Sequence, residues 1–133
     1  MARIKQLKKI QKEVNKIIRS LNKELKEDCF AGRFKILQTL RIDHHIEDDY
    51  YTSIYRFTFI DKEHPERNVD KWIDTYSMFS FKYELLTFAN DCIVESDFWN
   101  LWHNDQEYRN NHWYSGKQKE EAEKYGISKE LRK

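Results

Sequence analysis

The stretch that decides the fold is ARIKQLKKIQKEVNKIIRSLNKELKED, residues 2–28. Its apolar residues recur at steps of three and four, which places all of them on one face of an α-helix. They are Ile4, Leu7, Ile10, Val14, Ile17, Ile18, Leu21 and Leu25. The other positions hold nine Lys or Arg against four Asp or Glu. We therefore predict a long amphipathic helix, which Gly32 closes because glycine readily takes a left-handed conformation.

The apolar face of this helix has two uses that the pattern leaves open. Most of the face fits a heptad repeat, with Gln11 as the single polar residue in the seam. Ile10 and Ile17 widen the stripe beyond a coiled-coil seam, which favours packing on the protein's own sheet. Self-association into a homodimer through this helix is the alternative.

Three strands are predicted after the helix. Residues 33–43 alternate with period two, which indicates a half-buried strand. Its apolar face would hold Phe34, Ile36, Leu40 and Ile42. Residues 50–60 are rich in aromatic and β-branched residues, so they form the second strand of an antiparallel hairpin. The heavier face of that strand would hold Tyr51, Tyr55, Phe57 and Phe59. A third strand is predicted over residues 71–79, with a short helix somewhere in residues 69–79 as the alternative.

The period changes to that of helices from Ser80, which we take as an N-cap. A second helix would begin at Ser96 or Asp97 and reach Tyr108, and a third would span Lys117–Tyr125. The prediction is thus one α+β domain over residues 1–133, in which a long N-terminal helix packs on a three-stranded antiparallel sheet. Its parts are the helix (1–31), a β-meander (33–79), a helical part (80–125) and a loose tail (126–133).

Composition sets the expected compartment and origin. No apolar run reaches the roughly 20 residues of a membrane span, and two cysteines make no disulfide framework. We therefore expect a cytosolic protein, in a bacterial or host cell. Residues with A/T-rich codons, such as Lys, Asn and Ile, are abundant, while Ala, Gly and Pro are scarce. That bias predicts a phage or mobile element as the source.

Enzyme chemistry finds little support in the sequence. Nucleotide-binding loops need glycine close to the phosphates, and two of the three glycines, Gly32 and Gly126, are explained as helix ends. Cys92 falls on an apolar helical face, where a thiol stays protonated. His44 and His45 lie in an acidic loop and are a weak candidate for a metal site, because no ligand spacing accompanies them. We therefore expect no enzyme activity and no cofactor.

Charge and aromatic residues point to macromolecular binding. Residues 1–41 carry a net charge of +8 and residues 42–108 one of −10. We expect a protein-binding protein, and more specifically an inhibitor of a host nuclease or defence complex whose basic channel accepts an acidic surface. The candidate contacts are Asp43, Glu47, Asp48, Asp49, Asp61, Glu63, Trp99, Trp102, Trp113 and Tyr114. The last four belong to an aromatic region with two alternatives: burial between sheet and helix, or partial exposure as an interaction surface.

Nucleic-acid binding is the alternative function. Its candidate contacts are basic residues of the first helix and first strand. They are Lys5, Lys8, Lys9, Lys12, Lys16, Arg19, Arg33, Lys35 and Arg41. The order of helix, three strands and helix is similar to that of double-stranded-RNA-binding domains, whose second helix opens with a lysine cluster. This chain has Phe81-Lys82-Tyr83-Glu84 at that place, and its isoelectric point of 7.8 is low for such a domain.

Overall fold

The computed structural model describes residues 2–45 and 51–113, and within them the side chains of residues 5–27, 29–45 and 51–109. Its helices and strands confirm the predicted α+β class. They are α1 (Ala2–Lys26), β1 (Phe34–His45), β2 (Tyr51–Asp61), β3 (Val69–Asp74), α2 (Met78–Glu95), α3 (Phe98–Asn104) and α4 (Gln106–Trp113). Short 3-10 turns occupy Asp28–Phe30 and Pro65–Arg67. The predicted helix over 117–125 and the tail lie outside the described residues.

Helix α1 packs on the sheet through the face that the sequence predicts. Val14, Leu21 and Leu25 are buried in the core. Gly32 has the predicted positive φ, +76°, and its N–H donates to the carbonyl of Leu25 over 3.2 Å. The α-helix itself ends earlier, at Lys26, because a 3-10 turn and a left-handed Ala31 (φ 50°) precede the glycine.

The sheet is antiparallel with the order β1-β2-β3, so β2 is its central strand. The predicted heavy face of β2 is buried: Tyr55, Phe57 and Phe59 are at most 3% exposed. Phe81 of α2 contacts this face with ring centroids 5.6 Å from Phe57 and 6.1 Å from Tyr55. Helices α1 and α2 therefore cover the same side of the sheet.

A β-bulge in β1 corrects one prediction. The pairing of β1 with β2 shifts between Gln38 and Leu40, and one extra residue in a strand moves all later side chains to the opposite face. Ile36 is fully buried, whereas Leu40 is 41% and Ile42 43% exposed on the open side of the sheet. The prediction that all of these residues share one face with Phe34 was therefore wrong beyond the bulge.

The boundaries of the later elements differ from the predicted ones. A third strand does form, but β3 ends at Asp74, so Phe79 belongs to α2. The N-cap of α2 is Ser77, whose hydroxyl accepts from the N–H of Ser80 over 3.3 Å. The helix predicted from Asp97 to Tyr108 is divided at Asp105 into α3 and α4. None of the helices in the described ranges combines the length and apolar character needed to cross a membrane.

Candidate binding surfaces

A buried arginine joins the start of β1 to the C-terminal helices. Arg33 is 3% exposed, although the alternation of the first strand predicts an exposed side chain. Its guanidinium forms a two-pronged ion pair with Asp61, at 2.9 Å from Nε to Oδ1 and 2.8 Å from Nη2 to Oδ2. Nη2 also bonds Asp97, and Nη1 donates to the Tyr108 hydroxyl over 2.7 Å and pairs with Glu63 over 2.8 Å. The expectation that Arg33 is exposed on the first strand was thus wrong.

The electrostatics of this arginine cluster (Arg33, Asp61, Glu63, Asp97 and Tyr108) stabilise the ionised Arg33. Burial alone would lower the pKa of Arg33, but its hydrogen bonds with Asp61, Asp97 and Tyr108 outweigh burial and raise it. Burial raises the pKa of Tyr108 to about 12, against the opposing effect of Arg33. The phenol therefore remains protonated at neutral pH and accepts the arginine's hydrogen bond as a neutral group.

The Asp97 carboxyl is expected to make the free energy of unfolding depend on pH in the acid range. Burial acts to raise its pKa, but the hydrogen bonds from Arg33 and His64 prevail and lower it below 3.8. A carboxyl whose pKa is lower in the folded chain adds stability above its unfolded pKa and loses it as pH falls through the folded value. Asp97→Asn should therefore cost about 1 kcal/mol or less at pH 7, since the carboxyl is partly exposed, and progressively less as the pH falls through the folded pKa.

The measurement for Asp97 is urea unfolding of wild type and variant from pH 7 to pH 2. Glu107→Gln, which alters an exposed carboxylate on α4, is the control. Its difference in free energy of unfolding from wild type should not shrink as the pH falls. A cost of Asp97→Asn that is the same at both ends of the pH range would contradict the assignment.

Two residues of the arginine cluster form, together with His64, the only group of three potential metal ligands within the described ranges. Ligand atoms of Asp61, His64 and Asp97 lie within 4.8 Å of one another. Arg33 already bonds both oxygens of Asp61 and one of Asp97, so the guanidinium supplies the positive charge that a cation would bring. The arrangement fits a structural clamp better than a metal centre. His44 and His45, the residues proposed from sequence, are exposed near the end of β1.

The predicted acidic contacts are not one surface. Asp61 and Glu63 bind Arg33, and Asp43 pairs with Arg41 at 3.0 Å. Glu47, Asp48 and Asp49 lie outside the described residues, so their arrangement with Asp43 stays a prediction.

The predicted aromatic contacts belong largely to the core. Trp99 and Trp102 are half-buried and pack against the buried Phe98, with ring centroids 4.9 and 6.1 Å away. Trp113 ends α4, but its side chain lies outside the described ones, as does all of Tyr114. The region around α3 therefore belongs to the core of the protein, with Phe98 buried and Trp99 and Trp102 partly buried.

Cys92 matches its predicted structural role. Burial, with smaller contributions from Glu95 and Asp91, raises the pKa of its thiol to about 11. A thiol with that pKa is almost entirely protonated at pH 7, so it is a poor nucleophile.

The outer side of α2 carries a second apolar stripe that sequence reasoning missed. Phe79, Tyr83, Leu86 and Val94 are 85%, 67%, 40% and 59% exposed. Their spacing of four, three and eight residues keeps them on one side of the helix, with the polar Asn90 between Leu86 and Val94. The buried stripe of the same helix consists of Phe81, Leu85, Phe88, Ala89 and Ile93. The signal was present in the sequence, but residues 71–79 were interpreted as a strand, which separated Phe79 from the stripe.

A cleft of about 610 Å³ lies between α2 and α1, next to this stripe. Ile17, Leu21 and Met78 provide apolar lining, together with Phe79 and Leu86 from the stripe itself. The α1 wall carries Glu13, Lys16 and Glu24, and the α2 wall carries Lys82. The two walls thus have opposite net charge. We call the stripe and the cleft together the α2 face.

The basic candidates on α1 are exposed as predicted. This holds for Lys5, Lys8, Lys9, Lys12, Lys16 and Arg19, and for Lys35 and Arg41 on β1. Arg41 differs from the others because it bonds Gln11 of α1 and Asp43.

Comparison of the chain with protein-family models, with curated proteins and with solved structures finds no match in any of the three.

Proposed function

We propose that this chain is a non-enzymatic protein-binding module and that the α2 face is its docking surface. The observation that carries the proposal is the second apolar stripe of α2. A helix on the surface of a globular protein has one apolar face toward the core and polar residues opposite. Helix α2 already buries one stripe, so its exposed Phe79 and Tyr83 have no role in the core of the described structure. Exposed apolar patches of this kind mark interaction sites.

The partner class that best fits the α2 face is an amphipathic helix of another protein. Such helices bind in grooves through apolar residues spaced at i, i+3, i+4 and i+7. Phe79 and Val94 are 15 residues apart in one helix, which corresponds to about 22 Å. A partner helix of about four turns covers that length. The two walls of the cleft have opposite net charge, which orients the partner helix. Basic residues of the partner face α1, and its acidic residues face α2.

The α2 face is favoured over the other exposed apolar surface, the open side of the sheet. There Trp72 is 46% exposed, and the guanidinium of Arg56 lies 5.8 Å from its ring centroid. Phe79 is 85% exposed and borders a cleft instead. An aromatic ring that binds in a partner's pocket contributes more than a ring already covered by its own chain.

The double variant Phe79→Ala with Tyr83→Ala tests the proposal. We expect a change in the free energy of unfolding within about 0.5 kcal/mol per substitution, because both rings are exposed. We expect a loss of partner affinity of at least about 30-fold, as for interface residues worth 2 kcal/mol. A photo-crosslinking amino acid at Leu86 identifies the contacting protein in lysate, and calorimetry with the purified partner measures the affinity.

Trp72→Ala is the matched control, because it removes an exposed ring from the other apolar surface. It should leave the affinity within about threefold of wild type. Partner binding that Trp72→Ala abolishes and the double variant retains would overturn the assignment to α2. Self-association that the double variant abolishes would identify a second copy of the chain as the partner.

The finer roles stay predictions. An inhibitor of a host nuclease or defence complex would bind its target through the α2 face under this proposal, since Asp61 and Glu63 are engaged with Arg33.

Nucleic-acid binding is supported by one observation: no described carboxylate lies within 4 Å of the side-chain nitrogens of Lys8, Lys12 or Arg19. Salt-dependent gel shifts that Lys8→Glu with Lys12→Glu abolishes would favour that function over protein binding.

A further inference from the structure

We propose that the pocket between the end of α1 and the start of β1 binds a phosphate-bearing ligand. The pocket has a volume of about 820 Å³, and three lysines line it: Lys26, Lys35 and Lys62. They come from the last turn of α1, from β1 and from the residue after β2. Because three separate elements contribute them, the fold itself assembles this lysine pocket. It lies apart from the α2 face and shares no lining residue with it.

The charge of the lysine pocket is not neutralised by the residues that the structure describes. No described carboxylate oxygen lies within 4 Å of the three ammonium groups, and Glu27 is the one acidic residue in the lining. The chain neighbours of Lys62 explain the imbalance. Asp61 and Glu63 both bind Arg33, so the acidic groups nearest in sequence are held elsewhere. The lining residues thus have a net charge of +2.

The shape of the pocket allows an anion to approach the lysines. Its wall includes Ala31 and Gly32, both with positive φ. A Cβ built at Gly32 would have the Nζ atom of Lys62 as a neighbour at 4.0 Å, so this ammonium group lies over the glycine. Asn22, the other polar residue of the lining, is occupied by two 2.9 Å hydrogen bonds with the backbone of Ile36. The Asn22 amide keeps one N–H, so the three lysine ammonium groups are the main donors for a ligand.

A phosphate group suits these donors. Lysine binds phosphate as a mobile point charge with three N–H donors, and a pocket of several hundred Å³ is of the size that small ligands occupy. The same chemistry is offered by a free di- or triphosphate and by the backbone of a nucleic acid. Pyrophosphate and a twelve-nucleotide single strand are therefore used as separate probes.

The test is titration of the full chain with each probe, followed by the backbone amide signals in NMR spectra and by calorimetry. We expect the largest signal shifts at Gly32, Lys35 and Lys62. Lys35→Gln with Lys62→Gln should weaken binding at least about tenfold, because hydrogen bonds to charged groups are lost. Arg67→Gln with Lys71→Gln removes two exposed cations from the second 3-10 turn and from β3 and should leave the affinity within about twofold.

The two probes separate the sources of the phosphate. Saturable pyrophosphate binding identifies a free phosphorylated ligand. Binding of the oligonucleotide alone, with an affinity that falls steeply with salt, identifies a nucleic-acid backbone. The proposal is overturned if neither probe binds, if both pairs of variants weaken binding equally, or if the signal shifts follow the outer lysines of α1 instead of the pocket.

Discussion

Arg33→Met is expected to lower the free energy of unfolding by about 3–5 kcal/mol, the usual cost of removing one partner from a buried ion pair. The substitution keeps a similar volume but removes every donor of the guanidinium. Asp61, whose side chain is 8% exposed, would then be buried without its counter-charge. Glu63 and Asp97 are 42% and 39% exposed, so water replaces much of what they lose. Most of the expected cost therefore arises from Asp61.

Urea denaturation followed by circular dichroism measures this cost, and two further variants interpret it. Lys35→Met changes an exposed cation two residues further along the chain and should stay within about 0.5 kcal/mol of wild type. Arg33→Met combined with Asp61→Leu should recover part of the loss, because an apolar pair of similar volume needs no counter-charge. A loss below about 1 kcal/mol for Arg33→Met alone would contradict the central role given to this cluster.

The arginine cluster could not be predicted from the sequence. Alternation along residues 33–43 assigns Arg33 to the exposed side, and nothing local contradicts it. Its partners Asp61 and Asp97 follow 28 and 64 residues later in the chain. Only the hairpin and the return of α3 bring them together. The burial and pairing of Arg33 arise from tertiary structure, so the periodicity of the sequence does not indicate them.

Elements with one strong period were predictable. The wide stripe of α1 predicts the face that packs on the sheet, and the aromatic residues of β2 predict the core side of its central strand. Both patterns extend over many residues, so one residue that departs from the pattern does not change which face is predicted to be buried. The segment after β3 was harder. Residues 69–79 carry apolar residues at both periods, and tertiary packing decides that the strand ends at Asp74.

The α2 face illustrates a different difficulty. Its residues have ordinary helical spacing, but the prediction of a strand over residues 71–79 left Phe79 outside the helix. Phe81 and Leu85 face the sheet, while Phe79 and Tyr83 face away from it. Both sets contain aromatic residues of similar size. The exposed set became recognisable as a candidate docking surface only when the structure showed that α2 begins at Met78 and includes Phe79.

The bulge in β1 leads to the second large prediction, in which truncation of two apolar residues four positions apart lowers stability by very different amounts. Ile36→Ala should cost about 2–5 kcal/mol, as for large-to-small substitutions in a core, because Ile36 is fully buried. Leu40→Ala should cost less than about 1 kcal/mol, since the side chain is 41% exposed on the open side of the sheet. Without the bulge both residues would face the helices, and both substitutions would be costly.

The pair of variants is its own control, because each removes a branched aliphatic side chain from the same strand. Denaturant unfolding of both should give the same slope with urea and clearly different midpoints. Equal and large losses would show that Leu40 also faces the core and that the pairing of β1 with β2 lacks the shift at Gln38. The difference between the two free energies thus reports directly on which face each half of β1 presents, since one residue of register reverses every side chain beyond it.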